Sequence, residues 1–161
     1  MTIWADADSL PEDVRRLICR RAALEARAAA DAERPPRFHA VFVAARMPPI
    51  NLGPGVEAET VEGGEGAADD RIAQRAVSGD LAVTRDLPLV ERLAEAGVRV
   101  LNDRGDLFTA ENARERRSLR DRAEELRALG LAPESPRRSS RGARETKAFA
   151  DALDRELAKN R

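Results

Sequence analysis

The sequence predicts an α/β fold in which a mostly parallel sheet of four or five strands lies between two layers of helices. Short apolar runs alternate with amphipathic helical segments, an order typical of strand–helix–strand units. The runs at 38–44 and 81–83 are apolar except for His39, as in strands buried on both faces. Three strand ends carry carboxylates, and in such sheets ligands bind beyond the carboxyl ends of the strands. An acidic rim is therefore predicted at one edge of the sheet.

The chain opens with an apolar run, residues 3–5, that predicts a buried strand and ends in Asp6 and Asp8. If the extended geometry continues, both carboxylates project to one face and make it strongly anionic. The alternative is structural, with Asp8 as a helix cap and Asp6 as a solvated strand end.

A helix is predicted after this strand. Ser9 and Glu12 have the spacing of a capping box, and Pro11 falls in the first helical turn, where its missing N–H is harmless. Apolar residues recur at helical spacing to about Ala30. The apolar run at 38–44 then predicts a second strand, joined to the first by a right-handed crossover.

Residues 45–66 are rich in proline and glycine and are predicted mostly as loop, with a short strand near 56–61. Two interpretations stay open for this segment, a mobile flap over a site and a plain connector. Its glycines match neither the Walker loop nor the Gly-x-Gly-x-x-Gly pattern, which excludes nucleotide binding by those routes.

The middle of the chain repeats the pattern of a strand that ends in a carboxylate. A short helix is predicted from Ala68, and Asp69 starts its inward-facing stripe. Residues 81–83 predict a buried strand that ends near Asp86, before another helix. The strand predicted at 98–101 has a polar exit. These strand ends should share one rim.

Length and composition predict one α/β domain over residues 1–130. A flexible basic linker is predicted over 131–143, and a C-terminal helix over 144–161 is expected to pack on the same domain. Before the linker, a long helix is predicted from Thr109 or Ala110. It runs to about Leu129, and its apolar stripe is expected to consist of Leu119, Ala123 and Leu126.

Composition excludes several classes of protein. The single cysteine, Cys19, rules out an intramolecular disulfide and a cysteine-rich zinc site. Aromatic residues make up only 3% of the chain, which disfavours a nucleic-acid surface built on base stacking. No apolar run approaches the roughly 20 residues that span a bilayer, and no signal peptide is recognisable. A cytoplasmic protein without a membrane partner is predicted.

The acidic rim predicts a metal site. Its ligands are expected to be Asp6, Asp8, Asp69 and Asp86. Such carboxylates repel one another unless a cation lies between them, and oxygen-only ligation favours Mg²⁺ or Mn²⁺ over zinc. A metal held there would activate water for phosphodiester hydrolysis. A serine or cysteine nucleophile is disfavoured, since the single histidine, His39, starts a predicted strand opposite the rim.

The long helix before the linker is dense in arginine, and Arg117 and Arg120 are candidates for contacts with substrate phosphates. Acidic residues are interleaved with these arginines, so a solvated helix face is the alternative interpretation.

Four motifs resemble the YaiI/YqxD family of bacterial proteins, collinearly over nearly the whole chain. They are Met-Thr-Ile-Trp-Ala-Asp-Ala-Asp (1–8), Ala-Asp-Asp-Arg-Ile (68–72), Gly-Asp-Leu-Ala-Val-Thr-Arg-Asp-Leu-Pro-Leu (79–89) and Leu-Asn-Asp-Arg-Gly-Asp-Leu-Phe-Thr (101–109). The resemblance implies a PIN-like nuclease fold with an acidic pocket for Mg²⁺ or Mn²⁺. It places Asp6, Asp8, Asp69 and Asp86 on the family's acidic positions. It also implies that Asn102 and Arg104, in the Leu-Asn-x-Arg-Gly motif, orient a water ligand or a phosphate.

The chain departs from the family pattern at three positions. Leu10 stands where cysteine is common, so no thiol can serve this site. Asp103 replaces a proline, which either adds a carboxylate or loosens the turn, and Asp70 stands where asparagine is common.

The leading hypothesis is a metal-dependent nuclease acting on single-stranded RNA, in which activated water attacks phosphorus in line. The residues expected to contact the substrate are Thr84, Asn102, Arg104, Arg117 and Arg120. A non-catalytic PIN-like protein that binds a partner or a nucleotide through the same pocket is the alternative. A metal-dependent phosphatase acting on small phosphoesters is a third hypothesis.

Overall fold

The computed structural model describes residues 1–131 and 142–159. Its helices and strands are, in chain order, β1 (Thr2–Asp6), α1 (Glu12–Asp31), β2 (His39–Ala44), β3 (Val56–Thr60), α2 (Ala67–Arg75), β4 (Leu81–Val83), α3 (Leu87–Glu95), β5 (Arg99–Leu101), β6 (Leu107–Phe108), α4 (Ala110–Ala128) and α5 (Ala143–Ala158). The linker predicted over 131–143 lies, except at its ends, outside the described residues. The side chains of Arg117 and Arg120 on α4 are also outside the described part.

The strands form one sheet in the order β3-β2-β1-β4-β5-β6. Every neighbouring pair is parallel except β5 and β6, which form an antiparallel hairpin. The predicted mostly parallel sheet is confirmed. It has six strands rather than the expected four or five, because the two-residue β6 is too short to show the alternation by which a strand is recognised in a sequence.

Helices cover both faces of the sheet, as the three-layer prediction requires. Alternate side chains of β1 point to opposite faces: Ile3 packs with residues of α1 and α5, and Trp4 packs with residues of α2 and α3. Phe42 and Phe149 are fully buried within the first of these two cores. The order β4-β1-β2 leaves the carboxyl ends of three parallel strands side by side at one edge.

The start of α1 differs from the prediction. The helix begins at Glu12 with Pro11 as its N-cap, and no side chain caps it. The Ser9 hydroxyl instead donates to the Asp6 carbonyl oxygen at 3.3 Å and accepts from the Arg85 N–H at 3.2 Å. The capping-box prediction is wrong because the helix starts three residues beyond Ser9, which leaves Glu12 in the first helical position.

α4 is capped as a long helix, since Thr109 and Asn112 form a capping box. The predicted apolar stripe does not pack on the described part of the domain, because Leu119 is 59% exposed and Leu126 is 44% exposed. α4 contacts the domain through its first turns, where Ala113 is buried. This restricted contact explains why the later leucines reach solvent.

α5 packs against α1 and β5. The Arg21 guanidinium pairs with Asp154 at 2.6 Å, and the Thr146 hydroxyl donates to Asp13 at 2.5 Å. Arg99 at the start of β5 pairs with Glu156. Among the described helices, none is both long enough and apolar enough to cross a lipid bilayer.

Candidate active site

The carboxyl ends of β1 and β4 are joined through side chains. Asp6 ends β1 and is 3% exposed. Its Oδ2 accepts a hydrogen bond of 2.7 Å from the Thr84 hydroxyl, and the same hydroxyl accepts one of 3.0 Å from the Asp86 N–H. Thr84 therefore fixes a buried carboxylate against the start of α3.

Asp86 is the N-cap of α3. Its Oδ1 accepts a hydrogen bond of 2.8 Å from the Leu89 N–H, and Pro88 occupies the first helical turn. A carboxylate at this position is stabilised by free N–H groups and by the helix dipole. Asp86 thus has a structural role and still lies at the predicted edge of the sheet.

Asp69 lies in the first turn of α2 and is half-buried. Burial, which is the largest cause, and the negative charges of Asp6 and Asp86 together raise the pKa of Asp69 to about 6, whereas the Arg92 guanidinium opposes them. The three carboxylates, from β1, α2 and the end of β4, therefore lie close enough to repel one another. We call Asp6, Asp69 and Asp86 the acidic cluster.

Asp8 does not share a face with Asp6. The extended backbone ends at Asp6, and residues 7–9 form a turn. Asp8 is exposed there, and its Oδ2 accepts a hydrogen bond of 2.8 Å from the Ala45 N–H. The predicted alignment of the two carboxylates is wrong because the strand ends at Asp6, two residues before Asp8, and the alternation of side chains does not continue through the turn.

The turn between β5 and β6 is organised by Asn102. Its Oδ1 accepts hydrogen bonds from the Arg104 and Asp106 N–H groups, both at 2.9 Å, and its Nδ2 donates to Asp106 Oδ2. Asn102 therefore shapes the loop that carries Arg104, which lines the cavity described next.

A cavity of about 680 Å³ opens between this turn and the end of β4. Its polar lining includes Asp8, Thr84, Asp86, Asn102, Arg104 and Asp106. Five of the predicted site residues thus line one cavity. Asp69 does not belong to its lining, although its charge is coupled to Asp86.

Three charged residues of this cavity, Arg85, Asp103 and Asp106, were not among the sequence candidates. The Arg85 Nε lies 3.7 Å from Asp103 Oδ2, and Asp103 is buried. Asp103 therefore contributes a carboxylate beside the site rather than merely loosening its turn. Arg85 stands between Thr84 and Asp86 in the sequence. The segment that follows β4 therefore carries a positively charged guanidinium as well as a carboxylate.

The carboxylates at this edge of the sheet are candidate ligands for a divalent cation. The donor set is all oxygen, which suits Mg²⁺ or Mn²⁺. In residues 1–131 and 142–159, however, no group of three or more histidine, cysteine, aspartate or glutamate side chains is arranged to hold a metal ion. The cluster therefore fits a cation by chemistry and by charge, without a preformed coordination shell.

Comparison with known proteins agrees with the motifs at this edge. The model of the "Uncharacterized BCR, YaiI/YqxD family" matches residues 4–159. This chain belongs to the YaiI/YqxD family. It is 43% identical over 161 residues to a UPF0178 protein of Treponema pallidum, covering 99% of this chain and 82% of that one.

Two other relatives also align with nearly the whole of this chain. A UPF0178 protein of Syntrophobacter fumaroxidans is 39% identical over 159 residues, with 99% of this chain and 95% of that one covered. A UPF0178 protein of Myxococcus xanthus is 41% identical over the same coverage. No solved structure matches this chain.

Proposed function

We propose that this YaiI/YqxD-family protein is a metal-dependent nuclease that hydrolyses phosphodiester bonds of single-stranded RNA. The observation that carries the proposal is the convergence of Asp6, Asp69 and Asp86, from three separate segments, at the carboxyl edge of the sheet. That edge is where open α/β sheets bind their ligands. The adjoining cavity is large enough for part of a nucleotide chain and contains both acids and arginines.

The acidic cluster would hold Mg²⁺ or Mn²⁺, with Asp8 at its rim. Mg²⁺ usually keeps several waters and takes one or two carboxylates together with substrate phosphates. The carboxylates of the acidic cluster interact electrostatically but do not form a complete set of metal ligands. This arrangement is consistent with a metal site that substrate phosphates complete. When bound, the cation supplies polarisation of a phosphoryl oxygen and activation of water.

The protein's own residues would position the reacting groups. Thr84 is buried and its hydroxyl is engaged by Asp6 and Asp86, so we assign it to positioning Asp6 rather than to contact with substrate. Arg104 lines the cavity on the turn built by Asn102. A guanidinium there would bind a non-bridging phosphate oxygen, since arginine forms paired hydrogen bonds with phosphate.

The test is hydrolysis of a labelled single-stranded RNA with Mg²⁺ or Mn²⁺, compared with DNA of the same sequence. Asp6→Asn and Asp86→Asn should each lower the rate by about a hundredfold or more, the scale of losing one preorganised charge at a reaction centre. Asparagine caps a helix as well as aspartate does, so Asp86→Asn keeps α3 intact. Asp31→Asn, an exposed change at the end of α1, is the matched control.

The outcomes separate the hypotheses. Calorimetric titration of Mn²⁺ should show saturable binding that both active-site variants lose. RNA or nucleotide binding without any hydrolysis would refute the nuclease and favour the non-catalytic alternative. Turnover of a chromogenic phosphomonoester without cleavage of RNA would favour the phosphatase.

A further inference from the structure

A second cavity, of about 520 Å³, lies between α1 and residues 49–54. Its charged lining consists of Arg15, Arg16, Arg20, Arg27 and Glu12. We call this cavity the α1 groove. The whole chain has a formal net charge of -1, so four arginines against one glutamate are a local concentration of positive charge.

The arginines of the groove are available to a ligand. Arg16, Arg20 and Arg27 are exposed, and within the described residues they form no ion pair. By contrast, Arg21 on the neighbouring face of α1 is neutralised by Asp154 at 2.6 Å. The groove face of α1 is therefore the side on which positive charge is left unbalanced.

Arg15 lies deeper at the head of the groove. Its guanidinium donates to the Leu10 carbonyl oxygen, but its Nε is buried and has no hydrogen-bond partner among the described residues. A buried donor without an acceptor is unfavourable. An anionic oxygen in the groove, reached by rotation of the side chain, would supply the missing acceptor.

The wall opposite α1 is held in place at both ends. Gly55 has φ +74°, and a Cβ there would lie 2.9 Å from the Ala22 carbonyl oxygen, so the chain passes directly against α1. At the other end, the Asp8 carboxylate holds the Ala45 N–H. Residues 49–54 therefore lie between two positions at which the backbone is anchored.

Both walls of the groove follow strands that end at the acidic edge of the sheet. α1 starts at Glu12, shortly after Asp6 ends β1, and the opposite wall follows β2. From Arg16 to Arg27 the helix extends about 16 Å, given its rise of about 1.5 Å per residue. The first turns of α1, which carry Arg15 and Arg16, therefore start from the same edge of the sheet as the acidic cluster.

We propose that the α1 groove binds the phosphate backbone of single-stranded nucleic acid on one side of the bond to be cleaved. The inference rests on the proposed function, because the same strand would cross the acidic cluster. Arginine pairs with phosphate through parallel hydrogen bonds, and each neutralised phosphate releases counterions. None of the described residues that line the groove is aromatic, which favours backbone contacts over base stacking.

The test measures binding apart from hydrolysis, by fluorescence anisotropy of a labelled oligouridylate with chelator present. The variant combines Arg16→Gln, Arg20→Gln and Arg27→Gln. The control removes the same charge from exposed positions elsewhere, with Arg71→Gln, Lys147→Gln and Arg155→Gln. Since the salt slope for single strands is about −0.7 per phosphate contact, the groove variant should flatten the slope by about 2. Its affinity at low salt should fall by about tenfold or more, while the control matches the wild type.

Hydrolysis of bis(p-nitrophenyl) phosphate, which is too short to reach the groove, separates the two proposals. If the groove variant loses RNA binding but keeps this activity, both proposals are supported. If the wild type binds RNA but does not hydrolyse it, the proposed nuclease activity is refuted and the proposed RNA binding by the α1 groove is not. Equal oligouridylate binding by wild type and groove variant would overturn the groove. Binding of an oligoglutamate instead of the RNA, lost in the same variant, would also overturn it, since the groove would then take an acidic protein segment.

Discussion

Replacing Asp69 with asparagine should stabilise this protein in the absence of metal. Burial and the charges of Asp6 and Asp86 raise the Asp69 pKa from 3.8 to about 6. The folded state therefore takes up a proton more readily than the unfolded state between these two values. As the pH rises from about 4 to about 6 the ionised carboxylate becomes a cost to folding, and above that range the full cost is present.

The size of the effect follows from the shift. About two pKa units at about 1.4 kcal/mol each correspond to about 3 kcal/mol. Asp69 is only half-buried, and water screens its interactions, so an increase of about 1 to 3 kcal/mol in unfolding free energy is expected for Asp69→Asn. Asparagine is similar in shape but carries no charge, so the gain comes from relieving repulsion and desolvation.

The assay is urea unfolding with chelator, at about pH 7.5 and about pH 4. Asp69→Asn should be more stable than the wild type at the higher pH and nearly equal to it at the lower one. The control is Asp70→Asn, because Asp70 is exposed and pairs with Arg92 at 2.8 Å. A variant that is no more stable than the wild type at the higher pH would refute the idea that the acidic cluster is electrostatically strained. With Mn²⁺, the wild type and Asp70→Asn should gain stability and Asp69→Asn should not, since binding to the folded state is linked to folding.

Three further predictions concern what holds the site and its supporting helices in place. The guanidinium groups of Arg37 and Arg34 lower the pKa of buried Glu25 from 4.5 to about 2. Glu25→Gln should therefore cost about 2 to 3 kcal/mol above pH 4.5, a loss that urea titrations should show fading toward pH 2. Thr84→Val should lower the unfolding free energy by about 1 to 3 kcal/mol, because it removes the hydroxyl between Asp6 and Asp86. Thr84→Ser should retain most of it, and equal losses would show that the hydroxyl is unimportant. Gly105 has φ +87°, and a Cβ there would lie 2.6 Å from the Ala148 carbonyl oxygen. Gly105→Ala should therefore lower the melting temperature markedly and Gly53→Ala, which has open space, should not.

Much of the fold could be predicted because most of its strands and helices have a recognisable local spacing of apolar residues. Residues 38–44 are apolar except for His39 and include the whole of the parallel strand β2, and the predicted short strand near 56–61 is present as β3. The helical spacing of Phe149, Leu153 and Leu157 likewise corresponds to their burial on α5. β6 was not predicted because a strand of two residues shows no periodicity. The start of α1 was predicted wrongly because a capping signal depends on the exact helix boundary.

The sequence predicted which types of residue form the candidate site and near which strand ends they lie. Asp6 and Asp86 were found because parallel strands end at one edge, so carboxylates at successive strand exits converge. Asp69 was found because it starts the inward-facing stripe of a predicted helix. Asp8 was misplaced because alternation fails once the backbone turns. Arg85 and Asp103 were missed as a pair because nothing in their sequence spacing shows that they face each other across the cavity.

By itself, the sequence determined the α/β class, the order of the strands and helices other than β6, and the placement of acids at strand exits, because periodicity and turn chemistry act over a few residues. Only the tertiary structure decided that Thr84 links Asp6 to Asp86, that Asp8 holds the segment after β2, and that α1 forms a basic groove with residues 49–54. These features depend on contacts between segments distant in the chain. Their geometry is set by the packing of the whole sheet, which no local pattern contains.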